Sequence, residues 1–281
     1  MTATGTLYMV ATPLGNMEDM TFRAVRVLEE ASLIAAEDTR RTRKILNRHG
    51  LSTRLISYRE QNHKKAMPQI LAELKEGHNV ALVTDAGTPG VSDPGRELVR
   101  DARKIGVRVI PIPGPSAVAA AMSVAGLPAD SYVFAGFLPS KQKARRDALV
   151  ELKEVEKTLV FFEAPHRLAE TLRDAADILG DREAVICREM TKLNEEYTPG
   201  GLTELAAEAN AGNAQVKGEI TLVVAGAEPP DRPMLGPDEL TKLVTGDDRP
   251  VREIVAELAG MTSLSRSELY KLVLEATDRD G

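Results

Sequence analysis

Chemistry begins where an apolar run ends. Val80-Ala81-Leu82-Val83 gives way to Thr84-Asp85-Ala86-Gly87-Thr88-Pro89-Gly90-Val91-Ser92-Asp93-Pro94-Gly95, a loop nearly free of side-chain bulk that lets a ligand lie against main chain. A second loop follows, where Ile110-Pro111-Ile112 runs into Pro113-Gly114-Pro115-Ser116-Ala117. In open α/β sheets ligands settle outside the carboxyl ends of strands, so two such loops in succession point to one shared small-molecule site. Gly90 and Gly95 carry the glycine spacing of a phosphate loop, but Arg96 and Glu97 stand where Lys and Ser or Thr are required, and Asp93 would face the phosphates. No G-x-G-x-x-G occurs, which removes the dinucleotide fingerprint. What remains is a ligand held by backbone groups beside Asp85, Thr88 and Ser116, and a cationic or neutral adenosine-type cofactor suits that description.

Three carboxylates, Glu37, Asp38 and Glu163, each follow the carboxyl end of an expected strand, where a side chain can face a cleft and take up a proton. Asp38 reads equally well as the N-cap of the helix that carries Arg40 to Asn47. His166 after Pro165 suits either orienting a phosphate or capping the helix that follows, and the cap is the preferred reading. His49, His63, His78 and His166 are scattered, and with the lone Cys187 they form no zinc-ligand spacing, so no metal is expected. The strongest charge asymmetry runs from Asp38 to Lys65, where Arg40, Arg41, Arg43, Lys44, Arg48, Arg54, Arg59, Lys64 and Lys65 face only Asp38 and Glu60. Such a track suits RNA phosphates, with Tyr58, Asn62 and His63 beside it for exposed bases. Lys141, Lys143, Arg145 and Arg146 read as an extension of it.

These groups need a scaffold. The chain has 281 residues, enough for two ordinary domains, and its 36 basic against 42 acidic residues give a net charge of −6, which excludes uniform coating for nucleic acid and makes any RNA contact local. A single cysteine within Ala184-Val185-Ile186-Cys187 excludes a disulfide framework and reads as a buried strand thiol in a reducing cytoplasm. No apolar run approaches a membrane span, and no basic-apolar leader opens the chain. Short β-branched runs alternate with helical patterns, the arrangement of α/β layers. Strands are expected at Leu7–Ala11, Leu33–Ala36, Leu55–Tyr58, Val80–Thr84, Val107–Ile112, Tyr132–Phe137, Thr158–Phe162, Ala184–Arg188 and Glu219–Ala225. The Pro-rich segment Ala227 to Pro233 reads as a linker, followed by helices at Pro237–Val244, Arg249–Leu258 and Ser265–Thr277, the last with a capping box from Ser265 and Glu268. The expected division is 1–113, 114–228 and 229–281, with the ligand between the first two parts.

Several ordered motifs carry a resemblance: Thr6 to Asn16, Ala36-Glu37-Asp38-Thr39-Arg40-Arg41-Thr42, the Asp85 to Gly95 loop, Pro113 to Ala117, Phe161-Phe162-Glu163-Ala164-Pro165-His166-Arg167 and Lys217-Gly218-Glu219. From about residue 5 to about residue 227 the chain resembles the tetrapyrrole methylase superfamily, and within it is most similar to the ribosomal RNA small subunit methyltransferase I family. The resemblance implies a two-lobed class III methyltransferase fold with a small C-terminal helical segment. It also implies S-adenosylmethionine as methyl donor and the ribose 2′-hydroxyl of a cytidine in the decoding region of small-subunit ribosomal RNA, free or in the assembled subunit, as acceptor. A homodimer is expected on the same ground.

Carried over from the family's motifs, the cofactor contacts are Pro13 and Leu14, then Asp85, Gly87, Thr88, Pro89 and Val91, then Ser116 and Ala117, closed by Phe137, Leu138, Phe162, Gly218 and Glu219. Glu163, Glu37 and Asp38 become the bases that could draw the proton from the hydroxyl, and Arg40, Arg41, Arg43, Lys44 and Arg48 the RNA contacts. Tyr197-Thr198-Pro199-Gly200-Gly201 departs from the pattern, since relatives carry an Arg-Gly pair after the paired glutamates matching Glu195 and Glu196. Two other readings compete: a C-methyltransferase acting on a porphyrinoid, against which the basic track speaks, and a non-catalytic RNA-binding module, against which the intact cofactor loops speak.

Overall fold

Five short apolar runs in the first half of the chain pair as a wholly parallel sheet: β1 (Thr6–Val10), β2 (Leu33–Ala36), β3 (Leu55–Ser57), β4 (Val80–Val83) and β5 (Arg108–Ile112), in the order β3-β2-β4-β1-β5. Parallel neighbours need crossovers. These are α1 (Phe22–Glu30), α2 (Thr39–Arg48), α3 (His63–Lys75) and α4 (Arg96–Lys104). The side chains alternate by strand period. Leu33, Ala35, Val80 and Leu82 pack with Ile70 and Leu74 of α3 and Leu98 of α4, while Ile34, Ala36, Ala81 and Val83 pack with Val27 and Leu28 of α1 and Leu46 of α2. Both faces are therefore covered, which is why these strands read as unbroken apolar runs rather than alternating ones. The computed structural model describes residues 4–211, 218–229, 237–244, 249–259, 261–262 and 264–277.

A second sheet follows α5 (Ala117–Val124). It comprises β6 (Tyr132–Phe137), β7 (Thr158–Glu163), β8 (Glu183–Arg188), β9 (Glu196–Gly201) and β10 (Ile220–Val224), in the order β6-β7-β10-β8-β9. Only β6 and β7 run parallel; the other pairs are antiparallel. Helix α5 packs Val118, Ala121 and Met122 on one face against Val160, Val185, Cys187 and Val223. On the other face α6 (Gln142–Glu151), α7 (Leu168–Leu179) and α8 (Leu202–Ala211) cover Leu159, Phe161, Ile186 and Leu222. Cys187 is fully buried there, and burial pushes its thiol up to about 11, as expected of an inert strand thiol.

Strand β9 occupies the stretch whose Thr-Pro-Gly-Gly run reads as a loop. It is an outer strand, where a proline that cannot donate to the ladder is tolerated. Pro111 likewise lies on an outer strand, β5.

Contacts divide the chain into Met1–Ala227 and Glu228–Gly281. In the second unit α9 (Pro237–Val244), α10 (Val251–Leu258) and α11 (Arg266–Thr277) share a core of Leu240, Val244, Ile254, Val255, Leu258, Leu269 and Val273. The capping box forms: Ser265 N donates to Glu268 Oε2 at 2.8 Å, and Glu268 N to Ser265 Oγ at 3.3 Å. Helix α10 starts two residues later than expected because Pro250 holds an extended conformation at its N-cap. Most of the expected linker lies outside the described residues, as does Lys217.

Candidate functional site

The carboxyl ends of both sheets open onto one cavity of about 420 Å³. Leu14 follows β1, Glu37 and Arg41 follow β2, Thr84 to Thr88 and Val91 to Asp93 follow β4, and Ser116 to Val118 follow β5. The second sheet supplies Phe137 at the end of β6, Phe162 to Pro165 at the end of β7, and Gly218 to Thr221 at the start of β10. Because β10 runs antiparallel to β7, with Ile220 opposite Glu163, its beginning lies at the same end of the sheet.

The loops are laced together by main chain. Thr12 and Gly87 exchange two backbone hydrogen bonds of 2.9 Å, Thr12 Oγ1 donates to the Thr84 carbonyl at 3.0 Å, and Thr88 Oγ1 donates to the Pro115 carbonyl at 3.2 Å. Gly87 holds a φ of +78°, which only glycine adopts without strain. Ser116 caps α5 through Ala119 N at 3.5 Å.

Of the expected cofactor contacts, Leu14, Asp85, Gly87, Thr88, Val91, Ser116, Ala117, Phe137, Phe162, Gly218 and Glu219 line this cavity. Pro13, Pro89 and Leu138 do not. The two prolines are buried within the loops, and Leu138, adjacent to Phe137 and so on the opposite face of the strand end, points into the core of the second sheet.

Carboxylates dominate one wall. Glu37 Oε2 accepts from Thr84 Oγ1 at 2.8 Å and from Asp85 N at 3.3 Å, Asp85 Oδ1 accepts from Asp38 N at 2.9 Å, and Arg41 Nε lies 3.6 Å from Asp85 Oδ2. Burial and the nearby Glu37 raise the Asp85 carboxyl above its ordinary range, against the pull of Arg41. Asp93 is pushed up to about 6, chiefly by burial and further by Glu37 and Asp85, against a hydrogen bond with Thr84. Asp93 enters the sequence reading only as an argument against phosphate. Its position in the same loop as Asp85 is the signal that could have found it.

The other two expected bases are engaged elsewhere. Asp38 caps α2 by accepting from Arg40 N at 2.8 Å and pairs with the Arg40 guanidinium at 2.7 Å, and these hydrogen bonds hold its carboxyl well below the usual range. Glu163 has a fully buried side chain: Oε1 accepts from Ala164 N at 2.7 Å and from Arg167 at 2.6 Å, and Oε2 from Thr171 Oγ1 at 2.6 Å. That carboxylate ties β7 to the helix after it, the task the sequence reading gives to His166, which is exposed and makes no capping bond. Of the three, Glu37 and Glu163 line the cavity and Asp38 does not; Glu163 has its side chain fully buried in its bonds to Ala164, Arg167 and Thr171, whereas Glu37 is held by Thr84 and Asp85.

The basic track is shorter than its sequence. Arg41, Arg43, Lys44 and Arg48 are exposed along α2, and Lys64 and Lys65 along α3. Arg40 pairs with Asp38, Arg54 pairs with Glu73, and Arg59 donates to the Glu37 carbonyl. Tyr58 is 1% exposed within the core, and His63 bonds Glu97 at 2.9 Å, so neither offers a face to a base. Of the expected extension, Lys141 and Lys143 are exposed and the two arginines are engaged. Arg145 is buried against Asp174 and Glu170, and Arg146 pairs with Asp174 and Asp177.

Residues 6–206 match the family model described as Tetrapyrrole (Corrin/Porphyrin) Methylases. The chain is 45% identical over 283 residues to the "Ribosomal RNA small subunit methyltransferase I" of Synechocystis sp., an alignment covering 99% of this chain and 100% of that protein. The chain belongs to the ribosomal RNA small subunit methyltransferase I family. A family member from Halalkalibacterium halodurans is 52% identical over 222 residues, 79% of this chain and 76% of its own, and one from Escherichia coli O157:H7 is 41% identical over 272 residues, 96% and 95%. The two-lobed tetrapyrrole methylase fold recurs in crystal structures. A uroporphyrin-III C-methyl transferase from Thermus thermophilus complexed with S-adenyl homocysteine superposes with a TM-score of 0.55 at 20% identity, covering 79% of this chain and 97% of that one. A cobalt precorrin-4 methyltransferase of cobalamin biosynthesis gives 0.57 at 17% identity, covering 79% and 94%.

Proposed function

We propose that this protein transfers a methyl group from S-adenosylmethionine to the ribose 2′-hydroxyl of a cytidine in the decoding region of small-subunit ribosomal RNA. The observation that carries the reading is a single helix, α2, that reaches from the cavity into the basic face: Arg41 lines the cavity, and Arg43, Lys44 and Arg48 continue along the helix into solvent. RNA held there by its phosphates brings an acceptor to the cavity mouth.

The cavity fits the donor. Its volume lies in the range of cofactor pockets, its walls are backbone loops with Leu14, Val118 and Phe162 for an apolar base, and Glu37, Asp85 and Asp93 favour a positive charge. Bound there, the sulfonium supplies a methyl already activated for transfer. The protein's part is alignment: the laced loops fix the donor's position, α2 positions the RNA, and the apolar lining excludes water.

Members of the family named for ribosomal RNA support this acceptor over a porphyrinoid, and the exposed length of α2 is more than a compact macrocycle needs. We further propose a cytoplasmic homodimer, in which Phe22 and Leu193, exposed at 97% and 98%, are apolar side chains for a second copy to cover, and a boundary between the two lobes near Pro113. Among the described residues no helix is long and apolar enough to cross a membrane.

Mass mapping of ribose methylation in small-subunit ribosomal RNA, with and without the protein, tests the reading. A cytidine ribose methyl found only when the protein is present is expected. A methyl on a base, or none, refutes it.

A further inference from the structure

Where the second lobe comes closest to the β4 loop, the backbone is shaped to bring an aromatic ring to the cavity mouth. The pairing of β6 with β7 slips between Phe134 and Gly136, a bulge that re-aims the next side chain. Gly136 sits at a φ of +65°, and a Cβ there would lie 3.2 Å from Ser92 Oγ, so the two lobes touch at this point. Phe137 is consequently 57% exposed although its ring meets Phe162 edge-on, with centroids 5.6 Å apart. Opposite it, Val91 is 40% exposed and Ser92 holds a φ of +60°, a conformation a non-glycine residue adopts only when its surroundings impose it. Phe137, Val91, Ser92 and Asp93 all line the cavity.

Resting on the methyl-transfer reading above, we propose that these residues form the seat of the acceptor nucleotide: the base stacks on Phe137 against Val91, and Asp93 accepts the proton of the ribose hydroxyl. A half-exposed ring braced by a second ring is a stacking platform of the kind single-stranded RNA uses. Asp93 remains the carboxylate suited to the proton. It lies on the loop that carries Val91 and Ser92, whereas Asp38 is paired with Arg40, Glu163 with Arg167 and Thr171, and Glu37 accepts from both Thr84 and Asp85 through one oxygen; Asp93 itself is bonded by Thr84. The charged groups around Asp93 are Glu37 and Asp85 on its own lobe, Arg41 from α2, and, on the cavity wall of the other lobe, Glu163, which pairs with Arg167, and Glu219, which pairs with Lys192. In the step itself the O–H bond breaks and its proton passes to an Asp93 carboxylate oxygen. The electron pair left on the ribose oxygen forms the bond to the methyl carbon as the C–S bond of the donor breaks, its pair remaining on sulfur; Asp93 then releases the proton to solvent.

The test uses the full chain, small ribosomal subunits lacking this methyl group, and S-adenosylhomocysteine calorimetry. Phe137→Ala should raise KM for the subunit about tenfold, since stacking on an aromatic ring is worth roughly 5- to 150-fold per base, and Phe137→Tyr should recover most of the loss. Asp93→Asn should lower kcat about 100-fold or more. It should also flatten a wild-type kcat/KM profile that rises through about pH 6. Both variants should bind S-adenosylhomocysteine as wild type does, which also shows them folded. Loss of that affinity in Phe137→Ala would make the ring a cofactor wall and overturn the seat, and an unchanged rate and profile in Asp93→Asn would overturn the proton acceptor. Wild-type protein that transfers no methyl to the subunit would overturn the activity and the seat with it, whereas an active wild type matched by both variants overturns the seat alone.

Discussion

Replacing Asp174 with Ala should strip a buried guanidinium of its principal partner. Arg145 is 1% exposed and donates to Asp174 at 2.7 Å; its other contacts are Glu170 at 3.3 Å, a carboxylate 59% exposed, and the Ser140 carbonyl at 3.4 Å. Leaving a buried charge uncompensated costs about 3–5 kcal/mol, and the two weaker contacts place the expected loss near the lower end, about 3 kcal/mol. For a unit of this size that corresponds to a fall of roughly 6–12 °C in Tm. Scanning calorimetry at low and high salt is the assay, and the loss should persist in salt because a pair at this depth is little screened. Arg145→Met should cost less, about 1–2 kcal/mol, since Asp174 keeps Arg146 at 2.8 Å. Arg145→Met combined with Asp174→Leu should recover most of the loss of Asp174→Ala, because the pair is then removed whole. A loss below about 1 kcal/mol for Asp174→Ala, or weakened RNA binding with unchanged melting, would refute the burial argument and return α6 to the RNA-binding surface.

Glu163→Gln should lower stability by about 1–3 kcal/mol, through weakened bonds to Arg167 and Thr171, while kcat stays within a few-fold of wild type; a kcat loss of 100-fold at unchanged stability would restore it as the base. Arg43→Glu with Arg48→Glu should weaken RNA binding and flatten its salt dependence by roughly one to two in log–log slope. Cofactor binding should not change, and equal loss of both affinities would contradict the assignment of α2. Asp93 titrates higher in the native protein, at about 6, than the roughly 4 of an unfolded chain, so the native state holds the extra proton between those values and stability falls as pH rises through that window. Asp93→Asn should therefore be more stable than wild type at pH 7.5 by about 1 kcal/mol, after discounting for partial exposure, with the difference vanishing near pH 4. Chemical denaturation at both pH values checks it, and a variant less stable at pH 7.5 would contradict the assigned environment.

The parallel sheet was legible because its central strands β2 and β4 are buried on both faces and so announce themselves as apolar runs. Strand β9 was not, because an outer strand tolerates Pro199 and Gly200, residues that signal loops anywhere else. The cavity's loops were legible from their lack of bulk, and most of the side chains expected there do line it. The charges were harder to assign. Arg145 and Arg43 have the same kind of sequence neighbourhood, yet one lies under α7 and the other in water, and only the register of α6 against Asp174 decides which. Asp38 and Glu163 are drawn into local bonds that their sequence does not reveal: the first turn of α2 offers an unpaired N–H group that Asp38 satisfies, and Arg167 and Thr171 converge on Glu163.

Pro111 on β5 and Pro199 on β9 each remove an amide from a rim of a sheet. While the polypeptide is being synthesised, the first sheet can close before the residues of the second have emerged, and β5 is then an open margin beside other growing chains. A margin interrupted by proline is a poor template for a neighbour's backbone. Exchanging Pro111 for Val would leave the folded molecule nearly the same and give its partly synthesised form an unbroken row of amides, so the harm would surface as inclusion bodies and low yield rather than as a slower enzyme.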